Sequence, residues 1–81
     1  MTIQTLFFVQ LAEATGQSAT TIELPPRSSV GALLSILADR HDRLGPLLPS
    51  IAVAVNEKYA TLDQILQDGD TVALIPPVSG G

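Results

Sequence analysis

The sequence Asp-Gly-Asp-Thr-Val-Ala-Leu-Ile-Pro-Pro-Val-Ser-Gly-Gly, residues 68–81, combines a tight turn, a strand and a tail. The Asp-Gly-Asp run is typical of a turn, and residues 71–75 alternate as a strand does. Pro76-Pro77 then removes two N–H donors, so the strand must stop pairing there. We therefore predict one folded domain over residues 1–75 and an extended tail over residues 76–81.

The tail ends in Gly80-Gly81, so the last carboxylate belongs to a residue without a side chain. Such an end is a thin, unhindered acyl group that can enter a channel too narrow for other residues. Six extended residues span on the order of 20 Å. A frayed terminus is the plain alternative. The stiff Pro-Pro pair and the lone apolar Val78 favour a functional arm instead.

The composition limits the classes of partner. A chain of 81 residues with 46% hydrophobic and 15% charged residues is typical of one small globular domain. A net charge of −4 makes nucleic acid and anionic membranes poor partners. The longest apolar runs fall well short of the roughly 20 residues of a membrane span. The first residues lack the basic segment of a signal peptide, so a cytosolic location is expected.

The chain also lacks the residues of most catalytic sites. It has no cysteine, which excludes disulfides, thiolate nucleophiles, iron–sulfur clusters and zinc–thiolate sites. Its single histidine, His41, cannot build a metal site or a triad alone, and a structural role is the better interpretation. We therefore expect no enzyme activity from the chain by itself, and no metal or cofactor bound to it.

The first half of the chain predicts two paired strands. Residues 3–11 are rich in β-branched and aromatic residues and predict a strand. Residues 13–18 are expected to form a loop, and residues 19–24 a second strand paired to the first as a hairpin. Alternation along the first strand directs one set of side chains toward the core: Ile3, Thr5, Phe7, Val9 and Leu11.

The middle of the chain predicts one main helix. Ser28 or Ser29 can cap a helix that starts near Val30. Apolar residues then recur at helical spacing along one stripe, at Val30, Leu33, Leu34, Leu37 and His41. The remaining segments are predicted as an irregular connection over residues 44–49, a strand over 51–55, a turn over 56–59 and a short helical turn within 61–66.

This order of elements predicts an α+β fold in which the helix packs across one face of a sheet of four to five strands. If the first and last strands are central neighbours, an apolar patch lies on the open face. Its predicted members are Leu6, Phe8, Ala73 and Ile75, with Tyr59 at the border. A contiguous exposed apolar patch usually marks a partner surface. Ordinary scatter of surface apolar residues is the alternative.

Four segments together resemble a known family. They are Leu6-Phe7-Phe8, Val53-Ala54-Val55-Asn56, Asp68-Gly69-Asp70-Thr71-Val72-Ala73 and the closing Pro76-Pro77-Val78-Ser79-Gly80-Gly81. The chain resembles the small subunit of molybdopterin synthase over its full length. That resemblance implies a ubiquitin-like β-grasp fold and a sulfur carrier that acts as part of a heterotetramer with the large synthase subunit.

The resemblance also implies roles for individual residues. Gly81, preceded by Gly80, is implied to be adenylated by an E1-like enzyme that uses ATP and Mg²⁺, and then converted to a thiocarboxylate by a sulfur donor protein. The large subunit then uses this sulfur to form the dithiolene of molybdopterin from cyclic pyranopterin monophosphate. The implied partner-binding residues are Leu6, Phe8, Tyr59, Ile75, Pro76, Pro77, Val78 and Ser79. One departure is Ala12, where relatives often have a basic residue, so charge contacts at that edge are in doubt.

Three other interpretations remain open from the sequence. The sulfur carrier of thiamine synthesis shares the fold and the Gly-Gly end, although it usually lacks the Pro-Pro pair. A ubiquitin-like modifier would join the Gly81 carboxyl group to lysines of target proteins. A plain interaction module would use only the patch around Leu6, Phe8 and Ile75.

Overall fold

The computed structural model describes residues 1–76, which form a five-stranded mixed sheet with its main helix on one face. The strand order is β2-β1-β5-β3-β4, so β5 lies in the centre. β1 and β5 run parallel and all other neighbours are antiparallel. The predicted hairpin of the first two strands is confirmed, and the adjacency of the first and last strands, assumed from the sequence, is observed. The strands are β1 Thr2–Phe7, β2 Ala19–Glu23, β3 Ala52–Val55, β4 Lys58–Tyr59 and β5 Thr71–Ile75.

The predicted main helix is confirmed as α2, Val30–Arg40. The Ser29 side chain caps it by accepting a hydrogen bond from the Ala32 N–H at 3.2 Å. Two further N-terminal N–H groups, those of Val30 and Gly31, donate to the carbonyls of Gln64 and Leu62 at 2.9 and 2.8 Å. The first N–H groups of α2 are therefore satisfied by the Ser29 side chain and by the carbonyls of Leu62 and Gln64.

The core lies between α2 and the sheet. The predicted helix stripe is buried at Val30, Leu33, Leu34 and Leu37, while His41 follows the helix and packs its ring edge-on against Phe7 at 6.2 Å between centroids. From the sheet come eight buried side chains: Ile3, Thr5, Phe7, Ile22, Val53, Val55, Val72 and Leu74. Their alternation along each strand confirms the predicted inward face of β1 and β5, and it shows that Val53 and Val55 form the inward face of β3.

The first predicted strand is too long, because β1 ends at Phe7 and a short helix, α1 Val9–Thr15, follows. Residues 10–14 are Gln-Leu-Ala-Glu-Ala, all good helix formers, so local propensity overrides the β-rich start. Leu11 is buried as predicted, but it reaches the core from α1. The side chain of Val9 lies outside the described part of the chain. Gly16 ends α1 in the left-handed region at φ 76°.

Three further segments differ from their predictions. The connection predicted as irregular contains a 3₁₀ helix, Gly45–Ser50, and the predicted turn over 56–59 contains β4 at Lys58–Tyr59. The predicted helical turn within 61–66 is instead a chain segment that bonds to the start of α2, including a bridge between Ser29 and Ile65. Within residues 1–76, no helix is long and apolar enough to cross a membrane.

Candidate functional site

The face of the sheet that α2 leaves uncovered carries two rows of apolar side chains. In the first row the strand register places Leu6 beside Ala73, Ala73 beside Ala54, and Ala54 beside Tyr59. In the second row Ile75 lies beside Ala52. Phe8 continues β1 next to this row, with its N–H donating to the Leu74 carbonyl at 3.4 Å. We call these seven residues the apolar face.

A shallow depression lies at the end of the apolar face that is nearer the start of β5. It has a volume of about 370 Å³ and is lined by Leu6, Ala54, Asn56, Glu57, Thr71 and Ala73. The concavity follows from the two alanines, whose methyl groups rise less from the sheet than the side chains around them. Such a depression can receive one apolar side chain of a docking protein.

Phe8 is the most unusual member of the apolar face. It occupies the N-cap of α1, a position that prefers Ser, Thr, Asp or Asn, and its side chain makes no capping hydrogen bond. The ring is 49% exposed. A large aromatic residue that neither caps the helix nor fills the core is placed to contact another molecule.

A hydrogen-bond network fixes the start of β5. The Asp70 carboxylate accepts from the Asn56 side chain at 2.9 Å and from the Gln67 N–H at 2.8 Å, while the Thr71 N–H donates to the Asn56 side chain at 3.0 Å. The Asp68 carboxylate accepts from the Thr2 N–H at 2.7 Å. The turn is thereby tied to both β1 and the β3–β4 turn, and β5 leaves it toward Ile75 and Pro76.

Charge is distributed unevenly over the uncovered face. The carboxylates of Glu23 and Glu57 lie toward the end where β5 begins, and Glu23 accepts a hydrogen bond from the Thr2 hydroxyl at 2.6 Å. Lys58 is paired with Val55 and therefore belongs to the opposite face. The end where β5 runs into Pro76 carries the uncharged residues Phe8, Ile75 and Ala52. The face thus offers an apolar surface at the end of β5 that leads to Pro76, and acidic groups at the opposite end.

Comparison with known proteins identifies the family. The ThiS family matches residues 5–81. The chain belongs to the ThiS family. It is 38% identical to the human molybdopterin synthase sulfur carrier subunit over 98% of this chain and 93% of that protein. It is 39% identical to the Escherichia coli protein of the same name, over 98% of this chain and 99% of that one.

Solved structures agree with this assignment. The small archaeal modifier protein 1 of Haloferax volcanii superposes with a TM-score of 0.87 at 28% identity, over 95% of this chain and 98% of that one. A chain from the complex of subunits 1 and 2 of the Helicobacter pylori molybdopterin-converting factor gives a TM-score of 0.74 at 28% identity, over 100% of both chains. The predicted ubiquitin-like β-grasp fold is confirmed.

The described part of this ThiS-family chain contains five of the residues predicted to bind partners. Leu6 and Ile75 are half-buried in the apolar face, Phe8 and Tyr59 are exposed there, and Pro76 follows β5 directly. The structure brings Leu6, Phe8, Tyr59 and Ile75 to one side of the sheet. The other predicted site residues, Pro77, Val78, Ser79, Gly80 and Gly81, lie outside the described residues.

Five residues of the apolar face and its depression were not predicted from the sequence: Ala52, Ala54, Asn56, Glu57 and Thr71. Ala52 and Ala54 belong to it because they alternate with the buried Val53 and Val55. That alternation is visible in the sequence and could have assigned them. Glu57 could not be found in this way, because its position depends on the geometry of the β3–β4 turn.

Proposed function

We propose that the chain is the sulfur carrier subunit of a molybdopterin synthase, and that the carboxyl group of Gly81 carries the sulfur. The observation that supports this most strongly is the full-length similarity to two proteins named molybdopterin synthase sulfur carrier subunit. The family match extends to residue 81, so it includes the Gly-Gly end.

The proposed chemistry needs no reactive side chain on the carrier. A carboxylate is a poor electrophile, so its oxygen first attacks the α-phosphate of ATP on an E1-like partner, forming an acyl-adenylate and releasing pyrophosphate. A hydrosulfide ion (HS⁻) supplied by the sulfur donor then attacks the acyl carbon, a C–S bond forms, the C–O bond to AMP breaks, and the thiocarboxylate of Gly81 remains. Because glycine has no Cβ, nothing at Gly81 hinders either attack.

Transfer of the sulfur takes place on the large subunit, which supplies the catalytic residues in this proposal. The carrier contributes binding surface and reach. The apolar face docks on the large subunit, and the tail that follows Pro76 enters its active site. The placement of Ile75 and Pro76 beside Phe8 and Ala52 supports this arrangement, since docking of the face then also directs the tail. The solved complex of the related subunits 1 and 2 is consistent with such a pairing.

Deleting Gly81 tests the proposed function. The truncated chain should melt at the same temperature as the full chain, because the core ends at β5. It should fail to form dithiolene when mixed with the adenylating enzyme, ATP, a sulfur source and the large subunit. A chain with one alanine added after Gly81 is the matched control for tail length, and it should be equally inactive. Dithiolene formation by the truncated chain would contradict the proposal.

A second candidate is a ubiquitin-like protein modifier, which the similarity to small archaeal modifier protein 1 favours. The same acyl-adenylate would then be attacked by a lysine amine of a target protein, forming an isopeptide bond and releasing AMP. Conjugates of this chain in extracts of its own cells, lost when Gly81 is deleted, would support this role. The two functions are compatible in one protein, so each needs its own measurement.

A further inference from the structure

The turn between β3 and β4 holds a glutamate in a backbone conformation that favours glycine. Val55 pairs with Lys58, so Asn56 and Glu57 form the whole loop of this hairpin. Both residues have positive φ angles, 50° and 71°, as a type I′ turn requires. Asparagine tolerates this region, whereas the second position of such a turn strongly prefers glycine. Glu57 is therefore not the residue that the turn itself favours.

The position of Glu57 on the molecule offers a reason. Its side chain is exposed and lines the depression of the apolar face beside Leu6, Ala54 and Ala73. Within residues 1–76 its carboxylate accepts no hydrogen bond. Four other carboxylates do accept hydrogen bonds there, those of Glu23, Asp63, Asp68 and Asp70. Glu57 thus places an uncompensated negative charge at the rim of an apolar surface.

We propose that Glu57 is a specificity-determining residue at the edge of the apolar face, and that it pairs with an arginine or lysine of the large subunit. This inference rests on the proposed function. Docking of the apolar face removes water from the depression, and in that surrounding the carboxylate attracts a cation more strongly than it does in water. A charge pair at the rim also orients the partner and speeds association. Such a contact would explain why a glutamate occupies a turn position that prefers glycine.

Two substitutions of Glu57 distinguish its effect on stability from its effect on binding. Glu57→Gly should raise the melting temperature by about 4 °C, because it places glycine where φ is positive. Glu57→Gln should leave the melting temperature nearly unchanged, since it keeps a side chain in the same conformation. Both variants should bind the large subunit about tenfold more weakly at low salt, because both lose the charge.

The experiment is calorimetric titration of the full-length variants into the large subunit, at low salt and at about 0.5 M salt. Asp39→Asn is the control, since it removes one exposed carboxylate from α2 on the other side of the molecule and should bind like wild type. The difference between wild type and Glu57→Gln should shrink at high salt. Wild-type affinity in both Glu57 variants would overturn this inference and leave the proposed function standing. Failure of the wild-type chain to bind the large subunit would overturn both.

Discussion

At the scale of single residues, the apolar face and the lining of its depression contain two side chains that their local backbone does not favour. Phe8 stands at a helix N-cap without capping it, and Glu57 stands in a turn position that prefers glycine. Neither residue completes the core. Sequences usually break a local preference where a functional surface requires it. Both residues lie on the same face of the sheet, and we interpret this agreement as selection for binding there.

Thr5 provides a prediction about stability alone. It is fully buried in the core, and its hydroxyl has no hydrogen-bond partner among residues 1–76. Thr5→Val keeps the shape and removes the unsatisfied group, so it should stabilise the fold by about 1 kcal/mol. That corresponds to a rise in melting temperature of roughly 4–8 °C for a domain of this size. Thr21→Val, at an exposed position of β2, is the matched control and should change little. A lower melting temperature for Thr5→Val would mean that the hydroxyl has a partner.

At the scale of elements, the sequence predicts those helices and strands in which the periodicity of apolar residues is consistent with the cap, turn or proline residues at the ends. α2 is predicted by one apolar stripe and a serine cap. β5 is predicted by the alternation of residues 71–75, which lie between a turn and two prolines. α1 was missed because the alternation of apolar residues from Ile3 continues through Leu11, which fits a strand as well as a strand followed by a helix. β4 was missed because two residues carry no period, and only pairing with β3 reveals them.

The candidate site was also predictable only in part, because periodicity along one segment does not show which strands are neighbours. Leu6, Phe8 and Ile75 follow from alternation once β1 and β5 are adjacent, and that adjacency was an assumption at the level of sequence. The chemical role proposed for Gly81 came from resemblance to a family. The position of Glu57 beside the depression depends on the backbone conformation of the β3–β4 turn, and no periodicity in the sequence indicates a residue with positive φ.

Phe8→Asp tests the assignment of α1 and the apolar face together. Aspartate can cap α1 through the first N–H groups of the helix, a contribution of about 0.5–2 kcal/mol that offsets the lost contacts of a half-exposed ring. The melting temperature should therefore stay equal or rise. Binding to the large subunit should weaken by about 2 kcal/mol, roughly thirtyfold, because an apolar anchor is replaced by a charge.

Two aspartate substitutions, one off the apolar face and one on it, are compared with Phe8→Asp. Leu47→Asp adds a charge at a leucine of the 3₁₀ helix that is 38% exposed and lies off the apolar face, so binding should not change. Ile75→Asp lies on the apolar face and should weaken binding as Phe8→Asp does. A large drop in the melting temperature of Phe8→Asp would show that the ring supports the core, and the assignment of this residue to a binding surface would be wrong.

At the scale of the whole molecule, the sheet separates the two tasks of the protein. One face packs on α2 and provides stability, while the other carries the apolar face. The network around Asp70 and Asn56 holds β5 at its start, and the strand delivers the chain to Pro76 at the other end.

Replacing Pro76 and Pro77 by glycine tests whether the tail benefits from stiffness. The change leaves the reacting carbonyl of Gly81 intact but adds backbone freedom at two residues, about 1 kcal/mol each, that docking must remove. Affinity for the large subunit should fall by roughly one to two powers of ten. The rate of sulfur transfer at saturating large subunit should change far less. A lower saturated rate with unchanged affinity would show that the prolines position the acyl group.

The central claim, that the carboxyl group of Gly81 carries sulfur, is tested most directly by the intact mass of the protein from its own cells. Replacement of one terminal oxygen by sulfur should add about 16 Da, and digestion should place the gain on the peptide that ends at Gly81. The gain should disappear in cells that lack the adenylating enzyme. An unmodified mass in cells that make molybdopterin, or a population found only as isopeptide conjugates, would contradict the claim.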